Sequence, residues 1–297
     1  MKELNSCSLF TALITPMNDD ESINFEDLEI LLRQQEKAGN GILILGSTGE
    51  SLNLSLKEKK EIIHFTMNLK LNVPLMAGIG GVNLNKTLEW MSFLEEFSLD
   101  SYLLVTPLYA KPGNKGQKIW FEKLLNKSTK PCVLYNVPSR TGIDLSIDAL
   151  KELNQHPNFW GVKEASGCAE RFSEYVAACE GKRIFCGDDA LMPEFARRGA
   201  EGLISVASNS WPEETALYTR MSLEKKLKAE DEMFWLERAN LLFSASNPIP
   251  VKRLIHELGL IETSSLRLPL YNGDLKDSSF LLKAHKEVQS WAKDYNL

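Results

Sequence analysis

A lysine and a tyrosine at the ends of two apolar segments are the residues of this chain best suited to covalent chemistry. Lys163 follows the run "NFWGV" in "GVKEA", and Tyr135 ends the run "PCVLY". A free lysine amine attacks carbonyl carbons, but an unperturbed lysine, with a pKa of about 10.4, is almost wholly protonated at pH 7. Burial lowers that pKa, so Lys163 is either a Schiff-base nucleophile or an ion-paired residue with a structural role.

Tyr135 and two further side chains, which follow predicted strands, have two interpretations each. The Tyr135 phenol could transfer the protons that imine formation requires, or it could simply satisfy its hydroxyl in the core. Arg140, in "YNVPSRTG", could hold a carboxylate through two parallel hydrogen bonds or form a surface ion pair. Tyr109, in "TPLYAKP", is an aromatic residue on a loop, where plain packing is the default.

The motif "GSTGES" has the composition of an anion-binding turn. Glycines flank Ser47 and Thr48, which allows backbone N–H groups to converge and adds two hydroxyl donors, although a glycine turn with a capping serine is the alternative. Asp188 and Asp189, in "CGDD", could suggest a metal, but we interpret them as charges at a helix N-terminus. The sequence therefore predicts no metal and no cofactor.

Eight short runs rich in apolar and β-branched residues predict buried strands. They are continuous rather than alternating, as expected for strands covered on both faces. The runs begin at Ser8, Gly41, Val73, Ser101, Pro131, Phe159, Arg183 and Gly202. In the sixth strand, alternation of side chains predicts that Lys163 points inward while Val162 and Glu164 face the helices.

Segments of helical period separate most of these strands. Residues 26–37, 56–69 and 84–97 carry apolar side chains three or four positions apart. The strand starts lie roughly one βα unit apart and no flexible linker interrupts them, which predicts the α/β class and a (β/α)8 TIM barrel. A doubly wound sheet is the alternative, disfavoured because no GxGxxG motif opens a helix after a strand. In a barrel, functional residues collect where the strands end.

The chain continues for about 90 residues beyond the eighth strand with helical patterns only. These patterns are "SLEKKLKAEDEMFWLERANLLF", "PIPVKRLIHELG" and "SSFLLKAHKEVQSWAKD". We therefore expect residues 1–210 to form the barrel and residues 211–297 to form a C-terminal helical extension packed on it.

The composition excludes several classes of function. The 297 residues carry a net charge of -6, and the basic residues are scattered in short groups, which is not the pattern of a nucleic-acid-binding surface. No run approaches the 18 or so apolar residues of a membrane span, and the N-terminus lacks the features of a signal peptide. Five unclustered cysteines fit a reducing compartment, so the sequence predicts a cytoplasmic protein.

Taken together, these motifs resemble the dihydrodipicolinate synthase and N-acetylneuraminate lyase superfamily of pyruvate-dependent class I aldolases. The resemblance is carried by "TALITP", "GSTGES", "TPLYAKP", "YNVPSRTG", "GVKEAS" and "GDD", in that order and at those intervals. It spans roughly residues 7 to 210, and the terminal helices also fit the family's layout. Any one of these motifs would be weak, whereas the joint match is highly specific.

The resemblance implies a role for each candidate residue. Lys163 would form a Schiff base with the keto carbon of pyruvate, and Tyr135 would transfer protons during its formation. The backbone at Ser47 and Thr48 would hold the pyruvate carboxylate, and one of their hydroxyls would link Tyr135 to Tyr109. Two further residues would line the pocket: Gly187 and Ile204.

In the family, the tyrosine matched by Tyr109 reaches in from an adjacent subunit. A homo-oligomer is therefore implied, at least a dimer, and a tetramer is typical of the family.

Arg140 favours one substrate within the superfamily. In the synthases this arginine meets the carboxylate of aspartate semialdehyde, and the sialic-acid lyases generally lack it. The resemblance therefore implies condensation of pyruvate with aspartate semialdehyde in lysine and diaminopimelate biosynthesis. Ser47, where the synthases usually have threonine, keeps open a lyase or aldolase acting on a sialic or keto-deoxy sugar acid. A catalytically silent barrel used for binding or regulation is the alternative of a different class.

Feedback inhibition by lysine is expected to be weak or absent. Lysine-inhibited members of the family place polar groups below the site, including histidines after "GES" and a tyrosine just before the tyrosine matched by Tyr109. Here Leu56 and Lys59 align with those histidines, Leu108 precedes Tyr109, and Thr87 stands where the family has an acid, although Asn83 is retained. A cationic ligand would gain no ion pair from such a set of residues.

Overall fold

Eight parallel strands close into a barrel in the computed structural model, which describes residues 3–295. Each strand pairs with its neighbour in sequence, and β1 pairs with β8 to complete the circle. The strands are β1 (Leu9–Ala12), β2 (Gly41–Ile44), β3 (Leu75–Ile79), β4 (Ser101–Val105), β5 (Cys132–Asn136), β6 (Phe159–Glu164), β7 (Arg183–Cys186) and β8 (Gly202–Ser205). All eight predicted strands and the (β/α)8 architecture are confirmed.

Helices lie between the strands and continue beyond β8. The three helices predicted between the first four strands are present, with ends that differ by at most three residues. The helices are α1 (Phe25–Ala38), α2 (Leu56–Asn68), α3 (Leu84–Leu94), α4 (Asn114–Lys127), α5 (Pro138–Thr141), α6 (Ile147–Leu153), α7 (Ala169–Ala178), α8 (Met192–Arg197), α9 (Pro212–Leu223), α10 (Ala229–Leu241), α11 (Ile249–Glu257) and α12 (Ser279–Asp294). Among residues 3–295, none of these helices combines the length and the hydrophobicity that crossing a bilayer requires.

Side chains alternate between an inner core and an outer core along each strand. On β5, Val133 and Tyr135 belong to the cluster inside the barrel, while Leu134 belongs to the larger cluster between barrel and helices. Tyr135 pairs in register with Lys163 on β6, and both side chains point inward, as predicted for Lys163. Val162 lies in the outer core, which confirms the expected alternation.

The C-terminal segment is helical, but the long helical pattern of residues 222–243 is divided. Helix α9 ends at Leu223 and α10 begins at Ala229. Between them Lys225 adopts a left-handed φ of 56°, and the Asp231 carboxylate accepts a hydrogen bond from the Lys228 backbone N–H, which starts a new helix. The division of the chain at residue 210 stays a prediction.

A buried ion pair joins the C-terminal segment to the turn that contains "GSTGES". The Lys252 ammonium on α11 donates to the Glu50 carboxylate at 2.5 Å and to the Ser265 carbonyl oxygen at 2.8 Å. The second oxygen of Glu50 accepts from the backbone N–H of Arg267. Both side chains of the pair have no exposed surface, so each charge depends on its partner for the interactions that water would otherwise supply.

Breaking this pair is expected to destabilise the protein strongly. Lys252→Met leaves the Glu50 carboxylate buried without its counter-charge, and we expect the free energy of unfolding to fall by about 3–5 kcal/mol in urea denaturation. Lys57→Ala is the control, because the Lys57–Glu61 pair lies on the surface and should contribute less than about 1 kcal/mol. Equal effects of the two substitutions would contradict the assignment of the Lys252–Glu50 pair as a structural anchor.

Candidate active site

A cavity of about 980 Å³ opens where the strands of the barrel end. Five of the residues singled out in the sequence line it, and they come from the segments that follow β2, β4 and β5 and from β5 and β6 themselves. These residues are Ser47, Tyr109, Tyr135, Arg140 and Lys163. Residues more than 110 positions apart in the chain therefore share one pocket, because the ends of the parallel strands meet at one rim.

Lys163 is buried at the base of this group, with 5% of its surface exposed. Its Nζ atom lies 4.5 Å from the centre of the Tyr135 ring. Burial lowers the pKa of Lys163 to about 8, and the neighbouring charge of Arg140 acts in the same direction. At that pKa about one amine in ten is unprotonated at pH 7, far more than for a solvated lysine. The geometry and the electrostatics both suit a nucleophilic amine.

Tyr135 is also buried, and it keeps its proton at neutral pH. Burial raises the pKa of its phenol, while Arg140 and a hydrogen bond with the Ser47 hydroxyl oppose this rise. The Tyr135 hydroxyl is thus hydrogen-bonded to Ser47, which is exposed to solvent. A protonated phenol beside an amine, with an exit through a second hydroxyl, can move protons to and from a group bound at Lys163.

Thr48 and Arg140 are linked by a residue that the sequence analysis did not identify. The Asn247 side-chain amide donates to Thr48 Oγ1 at 2.9 Å, and its backbone carbonyl oxygen accepts from Arg140 Nη2 at 3.4 Å. Thr48 is buried and does not line the cavity. Asn247 precedes α11, about 200 residues after Thr48, and no local pattern in the sequence signals that the two are close.

Gly187 and Ile204 lie next to the site without lining the cavity. A Cβ atom at Gly187 would lie 2.9 Å from Lys163 Cε and 2.7 Å from Ala165 Cβ, so only glycine allows the strand end to approach the lysine. Ile204 points into the inner core together with Tyr135 and has no exposed surface. Both residues contribute to the packing around the site.

Tyr109 lies at the outer edge of the cavity and is 93% exposed in the single chain. Its backbone adopts a left-handed φ of 62°, which is uncommon for a residue other than glycine. A strained backbone at a functional loop is retained when surrounding contacts require it.

The adjacent carboxylates Asp188 and Asp189 occupy different environments. Asp188 accepts from the Ala190 backbone N–H, as a residue at a helix N-terminus does. Asp189 is the first residue of the helical turn that Asp188 caps, so both residues lie at a helix N-terminus as interpreted, but Asp189 is 1% exposed and its side chain accepts from the Val206 backbone N–H just after β8. Its side chain turns toward the strand ends because three donors there compensate for its burial.

The low pKa of Lys163 can be measured without any assumption about function. Competitive acetylation with trace acetic anhydride, followed by peptide mass spectrometry, should show that Lys163 gains reactivity with a midpoint near pH 8. Exposed lysines in the same sample serve as the control, since solvated amines titrate near pH 10.4. A Lys163 midpoint within about half a unit of those lysines would mean that the site does not lower its pKa.

Comparison with known proteins agrees with this geometry. The chain matches the model of the dihydrodipicolinate synthetase family over residues 5–287. It is 47% identical over 283 residues to the 4-hydroxy-tetrahydrodipicolinate synthase of Francisella philomiragia, covering 95% of this chain and 96% of the relative. It is 42% identical to the synthase of the same name from Wolbachia of Culex pipiens, covering 97% and 98%.

A solved structure gives the same result for the fold. The dihydrodipicolinate synthase of Acinetobacter baumannii, which was crystallised with pyruvate, superimposes with a TM-score of 0.88 at 32% identity, covering 94% of this chain and 99% of that one. The order of the motifs, the closed barrel and the shared cavity are thus accompanied by close similarity along nearly the whole chain. This chain belongs to the dihydrodipicolinate synthetase family.

Proposed function

We propose that this chain condenses pyruvate with L-aspartate 4-semialdehyde to give 4-hydroxy-tetrahydrodipicolinate, in lysine and diaminopimelate biosynthesis. It is a lyase that works through a Schiff base. The single observation that carries this proposal is the buried Lys163 amine, whose pKa is lowered to about 8, inside a cavity that also contains Arg140. Membership of the family indicates the two substrates, and the residues of the cavity indicate the type of reaction.

The first half of the reaction forms the Schiff base. The Lys163 amine attacks the keto carbon of pyruvate to give a carbinolamine, which loses water to become a protonated imine. Tyr135 donates the proton that converts the hydroxyl into water and later accepts one back. The backbone N–H groups at Ser47 and Thr48 hold the carboxylate of pyruvate, since a glycine-flanked turn of this kind binds anions.

The second half of the reaction forms the carbon–carbon bond. Loss of a proton from the methyl group of the imine gives an enamine, because the positive nitrogen accepts the electron pair. The enamine carbon then attacks the aldehyde carbon of the semialdehyde. The amino group of the semialdehyde finally displaces Lys163 from the imine carbon, which closes the ring and frees the amine for another cycle.

Arg140 selects the second substrate in this proposal. It lies in the cavity beside Lys163, it is exposed on the side from which a second substrate would enter, and its guanidinium can bind a carboxylate in a planar, bidentate manner. The carboxylate of aspartate semialdehyde fits this group. A sialic or keto-deoxy sugar acid is the alternative substrate.

The assay of both substrate classes with an Arg140 variant tests the proposal. Wild-type protein should consume pyruvate and aspartate semialdehyde in a coupled assay and should not cleave sugar acids at a comparable rate. Arg140→Ala should lose about 2–3 kcal/mol in kcat/KM for the semialdehyde because a charged hydrogen bond is lost, with Arg140→Lys intermediate. Preferential cleavage of a sugar acid by the wild type would contradict the proposed second substrate.

We also propose that the functional form is a homo-oligomer, at least a dimer, in which Tyr109 completes the proton path of a neighbouring subunit. The support is the 93% exposure of Tyr109 at the edge of the cavity, which leaves its side chain available to a neighbouring subunit. An aromatic side chain held outward on a strained backbone suits insertion into a partner.

Mixing two inactive variants tests this sharing of sites. Lys163→Ala and Tyr109→Phe should each be poorly active, but dissociated and reassembled mixtures should recover activity, since some sites then receive both native residues. Sedimentation analysis of the wild type should detect dimers or larger species. A fully active monomer, or mixtures that stay as inactive as their components, would contradict the proposal.

Weak or absent feedback by lysine is proposed from the residues of the third barrel unit. The Asn83 side chain already accepts from the Lys86 backbone N–H at the start of α3, and the Thr87 hydroxyl donates to the Asn83 carbonyl oxygen. Neither side chain carries a negative charge, so neither can form an ion pair with a cationic amino acid. Lysine should therefore leave the initial rate unchanged at micromolar concentrations, and half-inhibition in that range would overturn the proposal.

We also propose that the protein is cytoplasmic. All five cysteines are free thiols, two of them at least partly accessible, which suits a reducing compartment.

A further inference from the structure

A buried carboxylate that the proposed mechanism does not use connects the ends of β7 and β8. Asp189 follows β7, and its oxygens accept from the Ser205 hydroxyl and from the backbone N–H groups of Val206 and Ala207, the latter two at 2.9 and 3.3 Å. Its own backbone carbonyl oxygen accepts from the Tyr218 hydroxyl at 2.9 Å. The residue is thus fixed by the side chain and by the main chain.

The segment between β7 and Asp189 also lies against the nucleophile. The Gly187 backbone N–H donates to the Glu164 carbonyl oxygen on β6 at 2.7 Å. The position of a Cβ atom at Gly187 is only 2.9 Å from Lys163 Cε, so this segment contacts the stem of the lysine. Residues 187–189 are therefore tied to β6 on one side and to the end of β8 on the other, and Gly187 lies against the lysine stem.

Among residues 3–295, Asp189 is the acidic side chain whose charge acts on Lys163: it favours the protonated amine and opposes the effect of burial. Tyr135 faces the amine from β5, Arg140 comes from the segment after β5, and Cys186 is near on β7 but points into the outer core. Asp188, Cys186 and Tyr218 lie near Asp189 itself. Burial raises the pKa of Asp189, and its three hydrogen-bond donors, which favour the ionised carboxylate, oppose this rise.

We propose that Asp189 is a positioning residue for the Schiff-base reaction: it fixes the segment that packs on the stem of Lys163 and supplies the negative charge that stabilises the protonated imine. This inference rests on the proposed function. The imine nitrogen carries a positive charge in a site of low dielectric constant, where an oriented, immobile anion has a large effect. Tyr135 and Cys186 keep their protons at neutral pH because burial raises both pKa values, so neither provides that charge.

The Asp189→Asn variant separates the charge of this residue from its shape. The amide is isosteric and its oxygen can still accept from the backbone N–H groups, so the fold should persist, which a thermal melt will show. Adduct formation with pyruvate is timed at each pH and quenched into borohydride at one common pH. Loss of the anion should move the midpoint of the rate profile down by about one pH unit. The pyruvate concentration that gives half-saturation should rise several-fold.

Asp188→Asn is the matched control. It removes a neighbouring carboxylate that caps a helical turn and does not act on Lys163, so the profile should coincide with that of the wild type. A midpoint in Asp189→Asn that equals those of the wild type and the control would overturn the electrostatic part of the proposal. A change of amplitude without any shift would indicate a purely structural role of Asp189 and would overturn the electrostatic part equally.

Ser205→Ala tests the positioning part independently, and it remains informative if Asp189→Asn does not fold. The carboxylate keeps its charge and two backbone donors but loses one anchor on β8. The KM for pyruvate should rise several-fold while the pH midpoint stays in place, and an unchanged KM would overturn the proposed anchoring. Wild-type protein that forms no adduct at all would instead refute the proposed function, so the two failures are distinguishable.

Discussion

The site depends on placing an amine where water cannot fully solvate it. A lysine on the outward face of β6 would contact the helices, and one beyond the strand end would remain in water with an ordinary pKa. Lys163 occupies an inward position next to Tyr135, at the level where the packed barrel gives way to the cavity. The amine is therefore shielded enough from water to lose its proton and close enough to the cavity to react with a small keto acid.

The C-terminal segment contributes to this arrangement although it lies outside the ring of strands. Lys252 holds Glu50 in the turn after β2, and Asn247 links Thr48 to Arg140. Two regions expected to bind carboxylates, one for each substrate, are thus connected through the same stretch of chain. The segment thus supplies hydrogen-bond partners for polar groups in the barrel loops.

The sequence predicted the barrel and most of the cavity because both follow from local patterns. Apolar runs mark the strands, and the inward direction of Lys163 follows from alternation within β6. The roles of Asn247 and Lys252 could not be found in this way, since their partners lie about 200 residues away and depend on tertiary packing. The same limit explains why the contacts of Asp189 could not be predicted, since its side chain accepts from residues at and just after the end of β8.

Isolated features of the sequence are ambiguous, whereas their combination is not. A strand-end lysine, a buried tyrosine and a loop arginine each have ordinary structural roles. In a closed parallel barrel the ends of all strands share one rim, so the three side chains necessarily approach each other. Their joint presence in one cavity is what gives the lysine a chemical function.

Borohydride trapping with pyruvate tests the central claim most directly. Reduction in the presence of pyruvate should add the mass of one reduced pyruvate per chain, and peptide mapping should locate it on Lys163. Lys163→Ala should gain none. An unmodified wild-type chain, or an adduct that persists in Lys163→Ala, would contradict the account and favour a barrel without this covalent chemistry.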